Sequence, residues 1–221
     1  MSELMQNVDW SQMIEAISET LYMSFISLLF AVIFGLIVGI ILFITQKDNL
    51  LPNPVVNRTM DATVNVFRAV PFIILMILLF PLTKLLVGKL LGPTAALVPL
   101  IIAATPFYAR MVVIAFNEVD KGTIEACKAM GASKLEIIFK VLLPEAAPAL
   151  VSAIALTGIS LVGYTAMAGV TGSGGLGNLA YLYGYARKNN AMLYTATIII
   201  VVVVFIIQFL GDYISKKIDK R

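Results

Sequence analysis

The chain has 221 residues, of which 60% are apolar and 13% charged, and its mean hydropathy is +0.94. That balance excludes an ordinary soluble domain and places the chain in a bilayer. One cysteine and no histidine exclude an internal disulfide and a protein zinc site, and the basic residues behind the net charge of +3 are spread without interleaved aromatics, unlike a nucleic-acid-binding stripe.

A span needs roughly 20 predominantly apolar residues to cross ~30 Å of hydrocarbon. Uncharged runs cover 20–46, 90–109, 146–186 and 189–211. Residues 1–20 read as an external segment, amphipathic over 8–19. They contain Glu3, Asp9, Glu15 and Glu19 but no lysine or arginine, so they lack the cationic start of a signal peptide, and the first span, 21–44, is expected to be retained. Pro52, Asn53 and Pro54 mark a turn. A second span at 64–80 is kinked by Pro71 and carries Arg68 near its start, where a long cationic side chain can reach the interface. An outer loop with Lys84 and Lys89 precedes a third span at 95–116, and the polar segment 117–144 leads to a fourth at 149–167. The uncharged run 146–186 is too long for one span, so its Gly-rich second half serves another purpose. A fifth span at 191–210 and a basic tail at 212–221 complete an all-α polytopic membrane protein of five spans.

Five spans put the termini on opposite sides of the membrane. Lys47, Arg58, Arg68, Arg110, Lys121, Lys128, Lys134, Lys140, Lys216, Lys217, Lys220 and Arg221 then share one side, against Lys84, Lys89, Arg187 and Lys188 on the other. This bias predicts a cytoplasmic C-terminus and an outside N-terminus. Asp61 and Glu118 fall toward cytoplasmic ends and Asp212 closes the fifth span, as solvated or capping groups, which leaves no carboxylate near a bilayer centre. With no internal repeat either, an ion-coupled secondary transporter is disfavoured. Gly88-Lys89 is followed by Leu90 and lacks the upstream glycine of a P-loop.

Within 117–144, Ile124, Cys127, Gly131, Leu135 and Ile138 recur at spacings of three and four, one face of a helix or of two short helices. Lys121 and Glu125 form an i,i+4 pair on another face. Gly131 would admit a neighbouring backbone and a bend, and Pro144 is expected to stop the element before the fourth span. The pattern suits a helix lying on lipid headgroups as well as one that docks on a partner. In the fourth span, Ser160, Tyr164 and Met167 share a helical face. Hydroxyls beside a flexible thioether suit a path for a small amphiphilic solute, although ordinary helix packing uses the same residues. The run Gly169-Val170-Thr171-Gly172-Ser173-Gly174-Gly175-Leu176-Gly177-Asn178 lacks the strand-to-helix setting of a phosphate loop. It is expected to be a flexible outer loop or unwound backbone lining an entrance.

Glu125-Ala126-Cys127-x3-Gly131-x9-Val141-x-Leu143-Pro144 resembles the EAA loop of bacterial ABC-importer permeases, E-A-A-x3-G-x9-I-x-L-P, with Cys127 and Val141 replacing alanine and isoleucine. Val66-Phe67-Arg68-Ala69-Val70-Pro71-Phe72, Gly163-Tyr164-Thr165-Ala166-Met167-Ala168-Gly169, and Phe209-Leu210-Gly211-Asp212 with Lys220-Arg221 resemble the methionine-importer permeases, over about residues 15–221. The resemblance implies a type I importer fold over 21–211, in a lipid-embedded permease of the bacterial cytoplasmic membrane. It further implies two copies of this chain, two cytoplasmic ATPase subunits that bind ATP and magnesium, and an external methionine-binding protein or lipoprotein. No cofactor and no catalysis are expected in this chain. The residues expected to couple to the ATPase are Ile124, Glu125, Ala126, Cys127, Gly131, Leu135, Leu143 and Pro144; those expected along the path or gate are Ser160, Tyr164, Met167 and Gly169. Alternatives are an importer of another small amino acid, an ion-coupled transporter, and a membrane anchor that transports nothing.

Overall fold

A computed structural model describes residues 8–219, so Glu3, Lys220 and Arg221 lie outside the described residues. Helix α1 covers Trp10–Ile44 and is capped by Asp9, whose carboxylate accepts from the N–H groups of Ser11 and Gln12 at 3.1 and 3.2 Å. No proline interrupts it, and the segment 8–19 joins the first span in one rod of 35 residues. At ~1.5 Å per residue this rod exceeds the ~30 Å hydrocarbon, so part of it stands clear of the lipid core or tilts.

Helices α2 (Pro54–Ala69) and α3 (Phe72–Leu78) meet at a 107° bend where Val70 precedes Pro71. Lys84 lies on a helix, α4 (Phe80–Val87), where a loop was expected. Helix α5 is Pro93–Asn117, and two short helices follow, α6 (Lys121–Ala129) and α7 (Lys134–Ile137). A π-helical turn, Ile138–Leu142, leads into α8 (Leu143–Ala168). A second π turn at Gly169–Ser173, helix α9 (Gly175–Leu179), a third π segment at Ala180–Ala186 and helix α10 (Asn190–Ile218) complete the chain. Among the described residues, four helical runs are long and apolar enough to cross a membrane: Trp10–Ile44, Pro93–Asn117, Lys134–Ser173 and Asn190–Ile218. The bent pair α2–α3 makes a fifth if it is counted as one span.

The centre of the bundle is the contact of α1 with α5. A Cβ on Gly35 would come within 2.8 Å of the Thr105 carbonyl oxygen, and one on Gly39 within 2.6 Å of the Val112 Cβ. Two glycines one turn apart thus let the α1 backbone lie on α5, a small-residue approach suited to a bilayer, where apolar burial does little to join helices. Toward the end of α1 at Ile44, the buried side chains Leu42, Phe43, Tyr108, Val112 and Phe116 join Leu142 of the π turn. Phe43 meets Phe116 edge to face at 5.2 Å. At the opposite end, Met13, Leu176 and Met192 form a separate cluster. Helix α10 is pinned along α8, where Ser152 donates to Ser215 and Ser215 donates to the Pro148 carbonyl, both at 2.9 Å.

Gly39→Leu should therefore force α1 off α5, at about 1–3 kcal/mol for overpacking. Thermal unfolding of the detergent-solubilised chain should show the loss. Gly163→Ala, whose added Cβ meets nothing within 4 Å, should unfold like the wild type.

Candidate functional site

The polar segment between α5 and α8 is built by local capping. Asp120 begins α6, accepting from the Thr123 N–H at 2.8 Å, and this bond and the Thr123 hydroxyl hold its carboxyl below the usual range. The helix ends in a Schellman motif, in which Ala132 N–H bonds the Cys127 carbonyl and Gly131 N–H the Lys128 carbonyl, each at 3.0 Å. Gly131 holds φ at +83°, and a Cβ there would meet nothing within 4 Å. Its role within the chain is thus the left-handed turn, not the close backbone approach expected from its place on the apolar stripe. Ser133 then opens α7 through a capping box with Glu136, and Lys140 donates to Glu136 at 2.9 Å. The Lys140 hydrogen bond, followed by those of the Ser133 N–H and hydroxyl, lowers the Glu136 carboxyl from 4.5 to about 2.

Pro144 does not stop this element. Helix continues from Lys134 to Ser173 through the π turn, where Leu143 N–H bonds the Ile138 carbonyl five residues back. The wider turn relieves the pressure that a proline ring places on the preceding turn of an α-helix.

The break at Gly131 rotates α7 relative to α6, so the apolar stripe does not stay on one face. Ile124, 8% exposed, and Ile138 face the inner core; Cys127, half-buried, packs against the same cluster. Leu135 turns outward at 66% exposure, beside the exposed Met130 (79%) and Phe139 (62%). Glu125, Ala126 and Pro144 are also exposed, whereas Leu143 packs partly against the core. Met130 and Phe139 were not singled out by sequence, because their outward aim depends on the turn at Gly131; their large apolar side chains in a polar segment were the available signal.

The Gly-rich run is unwound only around residues 172–175, with helical backbone on either side. Gly172 (φ +92°) and Gly174 (φ +83°) break the helix over a few residues, and α9 folds back on the end of α8, with Gly177 against Ala166 and Gly169 against the Gly177–Asn178 backbone. The N–H groups of Gly175 and Leu176 are held by α1, donating to the Glu19 carboxylate at 2.6 Å and the Thr20 hydroxyl at 2.8 Å. Sequence pattern missed Glu19 and Thr20 because each partner lies 156 positions away. The three path candidates share the face of the continuous α8 but differ in what they touch. Ser160 gives its hydroxyl to the Leu156 carbonyl at 3.0 Å, and Tyr164 turns toward α3 to stack on Phe72 with ring centres 4.8 Å apart. Met167 stays on the outer surface at 49% exposure, above the exposed Gly163, while Gly169 is buried against α9.

One polar cluster crosses between spans. Arg110 of α5 reaches Asp61 at 3.1 Å and Asn65 at 3.0 Å on α2, and Asn65 donates to Asp61 at 2.9 Å. Asp61 is therefore an interhelical ion-pair partner and not only a solvated or capping acid, whereas Asp212 accepts from Gln208 one turn back.

Apolar spanning helices around a glycine-tight pair, with a short two-helix segment offering an apolar patch at one end, define a polytopic all-α membrane protein of the type I importer fold. Residues 32–220 match the family described as the binding-protein-dependent transport system inner membrane component, and the chain belongs to that family. It is 56% identical over 215 residues, 97% of both chains, to the methionine import system permease protein MetP of Bacillus subtilis strain 168. Identity is 48% to the probable D-methionine transport system permease protein MetI of Pasteurella multocida, over 92% of this chain and 94% of that one. A chain of the MetNI methionine ABC transporter, solved in inward-facing conformations, superposes with a TM-score of 0.92 at 45% identity, covering 94% of this chain and 96% of that one.

The depressed Glu136 carboxyl makes the start of α7 pH-dependent. Its contribution should be complete above its ordinary value of 4.5 and fall away as pH drops toward about 2. Protection of the amides at the start of α7, taken relative to the intrinsic exchange rate at each pH, should fall as pH drops across that window in the wild type, and Glu136→Gln should remove the dependence.

Proposed function

We propose that the chain is the permease subunit of an ATP-driven importer and forms, as a homodimer, the path by which methionine crosses the bacterial cytoplasmic membrane. The carrying observation is the 56% identity to a methionine import permease across 97% of both chains, which leaves no large region in which a different architecture could reside. ATP and magnesium belong to two cytoplasmic ATPase subunits, and an external methionine-binding protein or lipoprotein delivers the solute. Even with Arg68 set aside, the eleven-to-four distribution of the other basic residues supports an outside N-terminus and a cytoplasmic C-terminus.

The segment 117–144 supplies the coupling. Its outward surface of Ala126, Met130, Leu135 and Phe139 is the apolar anchor for an ATPase groove, and Glu125 stands beside it. Ile124, Cys127, Leu143 and Ile138 face the chain's own core and would carry displacement of the docked surface into the spans. Gly131 and Pro144 set the geometry of the two ends. Met167, exposed beside Ser160 and Gly163, is the gate residue, while Tyr164 and Gly169 shape the wall behind it.

Reconstitution of the chain with both partners in liposomes tests the reading. Uptake of labelled methionine should require ATP, the ATPase and the binding protein; uptake driven by an ion gradient without ATPase would replace it with secondary transport. Leu135→Asp should leave the spans inserted but weaken ATPase association by about 30-fold, the equivalent of ~2 kcal/mol at an interface anchor, in a pull-down from detergent. Met167→Ala should leave assembly intact and lower methionine taken up per ATP hydrolysed, as an apolar plug is lost.

A further inference from the structure

Arg68 stands out from every other cation in the spanning part of the chain. It lies in the last turn of α2, just before the bend at Val70-Pro71, and lines a cavity of about 110 Å³ with Phe72, Ala103, Phe107 and Tyr164. Ala103 and Phe107 fall near the middle of the 25-residue α5, about 15–21 Å from its start at ~1.5 Å per residue. The guanidinium, at the end of α2 and exposed on the single chain, is thus level with the middle of the spanning helix α5. Arg110, two turns of α5 or less from that level, is neutralised by Asp61 at 3.1 Å. Among the described residues Arg68 has no ion pair and no hydrogen bond, and the cavity lining contains no acid. The C-terminal end of α2 favours a positive charge there but leaves the guanidinium donors unspent.

An uncompensated cation at mid-depth persists only where it meets water or an anionic partner, and its fork of donors matches a carboxylate. Beside it, Phe72 and Tyr164 stack at 4.8 Å and give an apolar wall for a side chain. The cavity holds only a few water volumes at ~30 Å³ each, the size of an amino-acid head group rather than of a whole solute. We infer that Arg68 and the Phe72–Tyr164 wall form a subsite within the membrane that holds the carboxylate of an amino-acid solute during passage. The identity of the solute rests on the importer reading; the carboxylate chemistry rests on Arg68.

The assembled permease–ATPase complex in membranes, carrying Cys127→Ser and Val70→Cys, provides the test. Val70 also lines the cavity, so its thiol reports occupancy through the rate of labelling by a small methanethiosulfonate reagent. L-methionine should slow labelling about three-fold at twice its dissociation constant, L-methioninol, which lacks the carboxylate, should not, and Arg68→Gln should abolish the difference. Ala103→Cys reports from the opposite wall if Val70→Cys fails to assemble. Labelling that is indifferent to methionine, equally slowed by methioninol, or still protected in Arg68→Gln overturns the subsite. ATP-driven methionine uptake by the wild-type complex is scored separately: uptake without protection removes the subsite and leaves the importer, and protection without uptake does the reverse.

Discussion

The approach of α1 to α5 through Gly35 and Gly39 is the contact on which the other elements depend. In a bilayer, lipid competes on equal terms for apolar side chains, so helices hold together by close packing and a few polar bonds. By bringing the two backbones together, the glycines align Leu42 and Phe43 of α1 with Tyr108, Val112 and Phe116 of α5. That surface is the floor on which Ile124, Ile137 and Ile138 rest, and so the two-helix segment is fixed relative to the spans rather than hung from them. Any displacement imposed on its outer surface has a direct, packed route into α1 and α5.

Polar bonds then fix what packing leaves free. Asp61, Asn65 and Arg110 tie the amphipathic α2 to α5, and Ser152 with Ser215 ties α10 to α8. At the opposite end, Glu19 and Thr20 satisfy the two N–H groups that the glycine break would leave unpaired at the start of α9. Each tie joins elements distant in sequence, and each uses groups that would be costly to bury alone. Arg68, which makes no ion pair, lies at the 107° bend between α2 and α3.

The two-helix segment shows how a single backbone angle divides structural from exposed residues. Had α6 continued as one helix, Ile124, Cys127, Leu135 and Ile138 would have shared a face. The left-handed turn at Gly131 instead leaves Ile124 and Ile138 buried and exposes Leu135 with Met130 and Phe139. The π turn that follows keeps the helix running across Pro144, so the exposed surface is rigidly continuous with α8.

By itself the sequence determined the membrane setting, the helical class and the family. All of these follow from local quantities: uninterrupted apolar length, capping residues such as Asp120 and Ser133, and a motif contained within about 20 positions. Tertiary structure alone decided that Ile124 faces inward while Met130 and Phe139 face out, that Tyr164 stacks on Phe72 while Met167 stays exposed, and that the backbone after the glycine break is held by α1. Helical periodicity assumes a continuous register, and one residue in the left-handed region or one π turn resets it. Pairings such as Glu19 with Gly175 or Asp61 with Arg110 depend on which helices become neighbours, and close backbone packing determines that only once the chain has folded.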